Sequence, residues 1–362
     1  MSTAISHGRH EQPDVPQTLW AEFRDAVSPR TVGLIVGVLL LQLGFILSYV
    51  GAFHAPTPHE IPIGVVAPTA QVSQQTVAGM NGLAGAPLKA VAIADRATAE
   101  AQLHSGDLSA VLVIAPQGTT DTLLVSSGGG VSATTAVTSV VQQVDAAQQR
   151  TITTLDVVPL QPGDGRGLTG FYLVIGWIVG GYLVAALLGV SAGARPATPR
   201  RAYFRHGAVI PYSILSGLGG VLVVDQALGA LTGHFWSLWW LGALVVASAA
   251  AVTLAFQVLF GVLGIGITVL VFVILGNPSA GGAYQTSLLP PFWRWISNAL
   301  PNGAGTDTVR RIVYLGSNGI TGHLVVIALY VVLGSAIALA ASHLHRRRAV
   351  RGSGQSPVAV DR

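Results

Sequence analysis

The sequence predicts a polytopic α-helical membrane protein, with six transmembrane helices and an α/β extracytoplasmic domain inserted after the first. Three observations carry this. Charged residues make up only 9% of the 362 residues while hydrophobic ones make up 51%, whereas soluble domains carry about 25% charged residues. Uncharged runs of roughly 20 residues, the length that crosses a hydrocarbon core, recur along the chain. The arginines gather beside those runs, as topology signals do, instead of spreading over a surface.

The elements follow in order. Residues 1–30 form a polar tail in which Leu19, Trp20, Phe23 and Val27 share one helical face opposite Glu22, Arg24 and Asp25, a pattern suited to an interfacial amphipathic helix over Pro16–Ser28. The first span is 31–53. Its apolar core is longer than the roughly 7–15 residues of a signal-peptide core, so a retained helix is expected. Residues 54–167 read as α/β: strands at Ile61–Ala67, Ala90–Ala94, Ala110–Ala115 and Asp121–Ser126, helices at Arg96–His104 and Val131–Arg150, and a last strand at Thr154–Leu160. Spans two to five occupy 168–276, and the uncharged stretch Phe235–Gly276 fits two spans with a turn near Gln257–Gly261. Residues 277–319 are rich in Gly, Pro and aromatics and read as an external re-entrant or interfacial segment, with a short helix at Pro290–Leu300 and with Trp293 and Trp295 suited to a membrane boundary. The sixth span is 320–343, followed by a basic tail, 344–362. With six spans, Arg24 and Arg30, the group Arg195, Arg200, Arg201 and Arg205, and the cluster Arg346, Arg347, Arg348 and Arg351 all face the cytoplasm.

The residue inventory excludes several chemistries. The chain has no cysteine, which removes disulfides, thiolate catalysis and iron–sulfur ligation. Of its 19 Lys and Arg residues only Lys89 is a lysine, and it does not end a phosphate-binding glycine loop. No HExxH pattern is present, and His7, His10, His343 and His345 read as solvated or headgroup-facing residues. Nothing beside the +4 net charge reads nucleic acid. Between Arg205 and Arg294 the only charged residue is Asp225. It either lines a path or sits partly hydrated near the external boundary. Asp307 and Arg311 stand at i,i+4 near Arg310, as a surface ion pair or an external gate.

Three stretches resemble type-2 ABC exporter permeases, in the branch near the phage infection protein family. Ile61–Pro68 (IPIGVVAP) resembles their first external strand. Ala99–Pro116 (AEAQLHSGDLSAVLVIAP) resembles their helix–strand unit. Leu275–Leu315 resembles the Gly/Pro/aromatic segment before their last helix, with GNPSAGG, LLPPFWRWI, LPNGAGTDTVR and VYLG in order. The third is the most specific, and the likeness covers nearly the whole chain. It implies a transport subunit in the bacterial inner membrane, with both termini cytoplasmic. The chain would bind no cofactor itself and use ATP through separate ABC ATPase subunits, in company with a second permease chain and membrane lipid. The cargo would be hydrophobic or amphipathic: a lipid-like compound, a drug or an envelope component. Trp20, Phe23, Arg195, Arg200, Arg201 and Arg205 would then face the ATPases, and Asp225, Trp293, Asp307, Arg310 and Arg311 the path or its external gate. Two other readings stand beside it: a non-transporting envelope scaffold, phage-receptor-like or secretion-accessory protein, and a proton-coupled carrier using Asp225.

Overall fold

The computed structural model describes residues 18–20, 28–196 and 198–353. Most of the expected amphipathic helix at 16–28, Phe23 included, lies outside the described residues; Trp20 is described and is 70% exposed. The chain forms two compact units, Met1–Gly44 and Phe45–Arg362. The first long helix, α1 (Pro29–Phe53), starts in the first unit, where Thr31 N–H donates to the Ser28 hydroxyl at 3.2 Å.

The α/β domain follows. Its elements are β1 (Ile61–Val66), α2 (Ala70–Asn81), β2 (Leu88–Ala92), α3 (Arg96–Ser105), β3 (Ala110–Val113), β4 (Thr120–Val125), α4 (Val131–Ala147) and β5 (Thr151–Asp156). The sheet order is β2-β1-β3-β4-β5, with β1 parallel to β2 and β3, β4 antiparallel to β3, and β5 parallel to β4. Strand alternation sorts the core onto two faces. Ile61, Ile63, Leu112 and Leu123 meet Met80 of α2 and Val137 and Val141 of α4. Val111 and Leu124 meet Ala99 and Leu103 of α3. The chain steps from β1 to β2 in one direction and back past β1 to β3 in the other. Right-handed crossovers therefore place α2 and α3 on opposite faces. The domain departs from expectation in two places. Helix α2 is additional, started by Thr69, whose hydroxyl accepts from Val72 N–H at 3.3 Å. The last strand runs earlier than 154–160 because it pairs with β4 from Thr151 opposite Thr120.

Five helices are long and apolar enough to cross a membrane: Thr31–Phe53, Thr169–Ser191, Pro199–Ala227, Phe235–Phe260 and Thr321–Arg347. They belong to α1, α5 (Thr169–Ala192), α6 (Pro199–Val221, extended by a π-helical turn to Ala227), α7 (Phe235–Phe260) and α11 (Thr321–Ser353). The stretch expected to hold two spans breaks at Gly261, φ +65°. Its second half is the shorter helix α8 (Leu263–Ser279), which carries a π-helical turn at Leu270–Leu275.

Helix α7 is the bundle's centre. Its Leu238, Leu241, Val245, Val246 and Ala249 form one buried cluster with Val174, Trp177 and Ile178 of α5, Val221 of α6 and Ile327 of α11. Three neighbours approach its backbone through glycine. A Cβ on Gly181 would lie 2.4 Å from Val246 O, one on Gly217 2.6 Å from Ala243 N, and one on Gly334 2.8 Å from Val252 N. Small residues at crossings are how helices gain van der Waals contact where lipid removes the hydrophobic drive.

The segment before α11 holds α9 (Pro291–Ser297) and a helix not read from the sequence, α10 (Pro301–Tyr314). Its first two turns, PNGAGTDT, have no apolar stripe, yet Asn302, Ala304, Thr306 and Thr308 are buried. Small side chains let this helix enter an apolar bundle, and Thr306 and Thr308 satisfy their hydroxyls on Asn302 O and Ala304 O, one turn back.

Candidate functional site

Polar side chains concentrate where the α/β domain meets the segment 280–323. Helix α4 begins at Gly130, which has no capping side chain. Gln285 supplies the cap from the bundle: its Oε1 accepts from Ala133 N–H at 2.9 Å and from the Ser132 hydroxyl, and its own N–H donates to Ser132 Oγ at 3.0 Å. A Cβ on Gly130 would collide with that amide at 2.5 Å. At the end of α10 the Tyr314 hydroxyl donates to Asp164 Oδ2 at 2.6 Å and accepts from Gln161 N–H at 3.3 Å. Burial first, then that bond to Asp164, pushes the phenol above its ordinary range. Gly128 lies against the Tyr314 ring, with room for no side chain. Gln161 also reaches the α6–α7 connection, accepting from Thr232 N–H at 2.7 Å.

One turn earlier on α10 lies an ion cluster. Arg310 Nη1 donates to Asp307 Oδ1 at 3.1 Å and its Nη2 to Gly281 O at 2.7 Å. Arg311 Nε donates to Asp307 Oδ2 at 2.6 Å and its Nη1 to Asn318 O at 3.1 Å. His323 Nδ1 stands 3.6 Å from Asp307 Oδ2. Burial pushes the Asp307 carboxyl up, but the Arg310 and Arg311 charges outweigh it and leave the group below its usual value. The cluster opens into a polar cavity of about 280 Å³.

Asp225 does not join this cluster. It lies in the π-helical turn at the end of α6, 9% exposed, and lines neither this cavity nor a larger apolar groove of about 740 Å³ between α5 and α6. Trp293 faces the protein interior. It is 8% exposed and packs with Ala52, Leu289 and Ile296, while its neighbours Phe292 and Trp295 are 53% and 75% exposed. A helix of seven residues at this position can turn only one side inward, and Trp293 and Ile296, at i,i+3, take it.

At the opposite end of the bundle the arginine group divides. Arg195 donates to Val258 O and Leu259 O at 3.3 and 3.2 Å, capping α7. Arg205, 7% exposed, donates to Gly193 O at 2.6 Å and Ala194 O at 3.3 Å, just past the end of α5. Carbonyls at a helix C-terminus lack intrahelical partners and favour a cation. Arg200 and Arg201 are exposed, as are Tyr203 and Phe204.

Sequence reasoning missed Gln285, Tyr314, Asp164 and His323. His323 alone gave a signal, as the one ionisable residue early in an otherwise apolar span. Among the described residues no three His, Asp or Glu side chains converge as metal ligands would. No protein family, curated protein or solved structure matches this chain.

Proposed function

We propose that this chain is the membrane-spanning subunit of a type-2 ABC exporter, moving a hydrophobic or amphipathic substrate outward on ATP hydrolysed by a separate subunit. The observation that carries the reading is the α5–α6 turn. Arg195 is taken up in capping α7, and Arg205 by the carbonyls just past α5. Arg200, Arg201 and Phe204 remain exposed at the start of α6. A basic and aromatic surface with its arginines uncommitted is what a driving subunit could engage.

Chain path supports the six-span topology. The end of α7 is tied to Arg195, whereas Ser287 and Leu288 are tied to His59 and Thr57 at the edge of the α/β domain. The stretch between them, α8 with the residues after it, therefore traverses the bundle, although α8 alone is about 25 Å long against a hydrocarbon core of about 30 Å. Counting that crossing puts Arg200, Arg201, Arg346 and Arg347 on one side, the cytoplasmic side by the positive-inside rule. Exposed Trp236, Trp240 and Trp295 then mark the outer boundary.

The test is photo-crosslinking from positions 200 and 201 in native membranes. Capture of an ATP-binding subunit is expected, with ATPase stimulation by the reconstituted pair that falls severalfold in the Arg200→Ala/Arg201→Ala double variant. If neither position captures such a subunit while the chain still performs its cellular role, the exporter reading fails and the envelope scaffold takes its place.

A further inference from the structure

We propose that the cavity bounded by Arg310, Arg311, Asp307 and His323 is a binding site for a phosphate-type oxyanion. The inference does not rest on the exporter reading, because it concerns binding alone and is tested without ATP or a partner.

Charge comes first. Ten residues line the cavity, and Asp307 is its one acid against two guanidiniums. One positive charge is left over, before any contribution from His323. The side chains are only 12% (Arg310), 23% (Arg311), 27% (Asp307) and 19% (His323) exposed. A cation withdrawn from water this far is costly unless an anion accompanies it.

Geometry comes second. Each guanidinium is held at two points, Arg310 by Asp307 and Gly281 O, Arg311 by Asp307 and Asn318 O. Each has five N–H donors, so donors remain on both, in orientations already fixed. Ordering cost is thereby removed from the binding step. His323 Nδ1 is buried without a hydrogen-bond partner. It sits in the first turn of α11, where the helix end favours negative charge. Thr286, Ser297 and Asn298 add neutral hydrogen-bonding groups to the wall.

Shape and surroundings narrow the ligand. The volume of about 280 Å³ is below the roughly 300–1,000 Å³ of sites for drug-sized ligands, and suits a headgroup. Paired guanidiniums match the multiple oxygens of a phosphate. Exposed Phe292 and Trp295 lie on α9, whose end supplies Ser297 and Asn298 to the cavity. That places apolar surface beside the anion site, as a phospholipid or a phosphorylated amphipath requires.

The test uses the full-length chain in detergent. Native mass spectrometry measures retention of phosphatidic acid and phosphatidylglycerol against neutral diacylglycerol, and calorimetry measures inorganic phosphate. Retention of the anionic lipids with no heat from phosphate assigns the site to a lipid headgroup. Binding of both assigns it to the phosphate group alone. Three variants link binding to the cavity. Arg311→Lys keeps the charge and loses the fork, and should weaken binding about tenfold. His323→Gln should weaken it less. Asp307→Asn raises the local charge and should tighten it. Binding of neither probe, or wild-type binding in both Arg311→Lys and Asp307→Asn, overturns the proposal. Each variant's thermal unfolding is followed in parallel, so that a purely structural ion pair shows as lost stability with unchanged binding and also counts against it.

Discussion

Asp145 should make the α/β domain less stable as pH rises. It lies near the end of α4, 4% exposed, with its Oδ2 buried and without a hydrogen-bond partner. The nearby guanidinium belongs to its neighbour: Arg150 donates from Nε and Nη2 to the two oxygens of Asp121, at 2.6 and 2.5 Å, and Ala115 N–H adds a third bond at 2.8 Å. Burial, then the Asp121 charge, pushes the Asp145 carboxyl up to about 6 from 3.8. Asp121 is also penalised by burial, but Arg150 and Ala115 hold it below the usual carboxylate range. The sign follows from Asp145 holding its proton more tightly folded than unfolded. Its contribution is fully present below about pH 4 and is lost as pH rises through about 6. The shift of about 2 units, at about 1.36 kcal/mol each, sets a ceiling near 3 kcal/mol. Arg150 is 23% exposed, so solvent screening keeps the effect under that ceiling. Asp145→Asn removes the charge and should stabilise the domain at pH 7.5 but hardly at pH 4. Tryptophan fluorescence cannot report this, since residues 54–167 contain no Trp. Hydrogen exchange on peptides spanning 131–156, corrected for intrinsic rates, can: protection at pH 7.5 should rise by up to about 100-fold, and the gain should vanish at pH 4. Equal gains at both values, or a loss at pH 7.5, would refute the electrostatic account.

Three further outcomes follow from contacts already described. Arg205→Ala removes charge-assisted bonds to Gly193 O and Ala194 O, each worth about 1.5–3 kcal/mol, and should lower the melting temperature in detergent; Arg201→Ala should leave it unchanged, and equal effects would contradict the division of the arginine group. Gly217→Leu would drive its Cβ into Ala243 N and Trp239 O, at a cost of at least about 1–3 kcal/mol, and should reduce monodisperse yield on size exclusion, whereas Gly207→Leu on the same helix meets open space and should not. Gln285→Ala strips the borrowed cap from α4, worth about 1 kcal/mol, and should speed exchange at 128–136 without altering peptides of α7.

Much of the architecture was legible because apolar length and strand runs are local properties. The long spans and four of the five strands follow from runs such as Ala110–Val113. What escaped has specific causes. Helix α2, AQVSQQTVAGMN, buries only Ser73 and Met80, so it offers almost no periodic signal. Helix α10 hides behind glycine and threonine, small residues that pack well only because the surroundings are apolar. The four arginines at 195–205 looked alike because their difference lies in carbonyls as far away in sequence as Val258. Asp145 is the instructive case. Ala133, Val137, Val141 and Asp145 stand at i,i+4 and are all buried, so the stripe itself predicts a buried carboxylate if it is followed one step further.

Helix α10 joins the polar cavity at Arg310 and Arg311 to the seat of the α/β domain. Asp307, Arg310, Arg311 and Tyr314 fall within two turns. Tyr314 follows Arg310 at i+4, which puts both on one face, and both line a small cavity of about 20 Å³ with Asp164 and Ser127, room for one water. The other end of the helix is fixed in the core: Asn302 donates to Phe272 O and to Asn277 Oδ1, each at 2.9 Å. The helix is thus pinned in the core at one end and tied to the α/β domain through Tyr314 at the other. An anion held by Arg310 as proposed would sit on the element that positions Tyr314 against Gly128. The polar residues of this apolar chain thus bring the proposed anion site and the seat of the α/β domain onto a single helix.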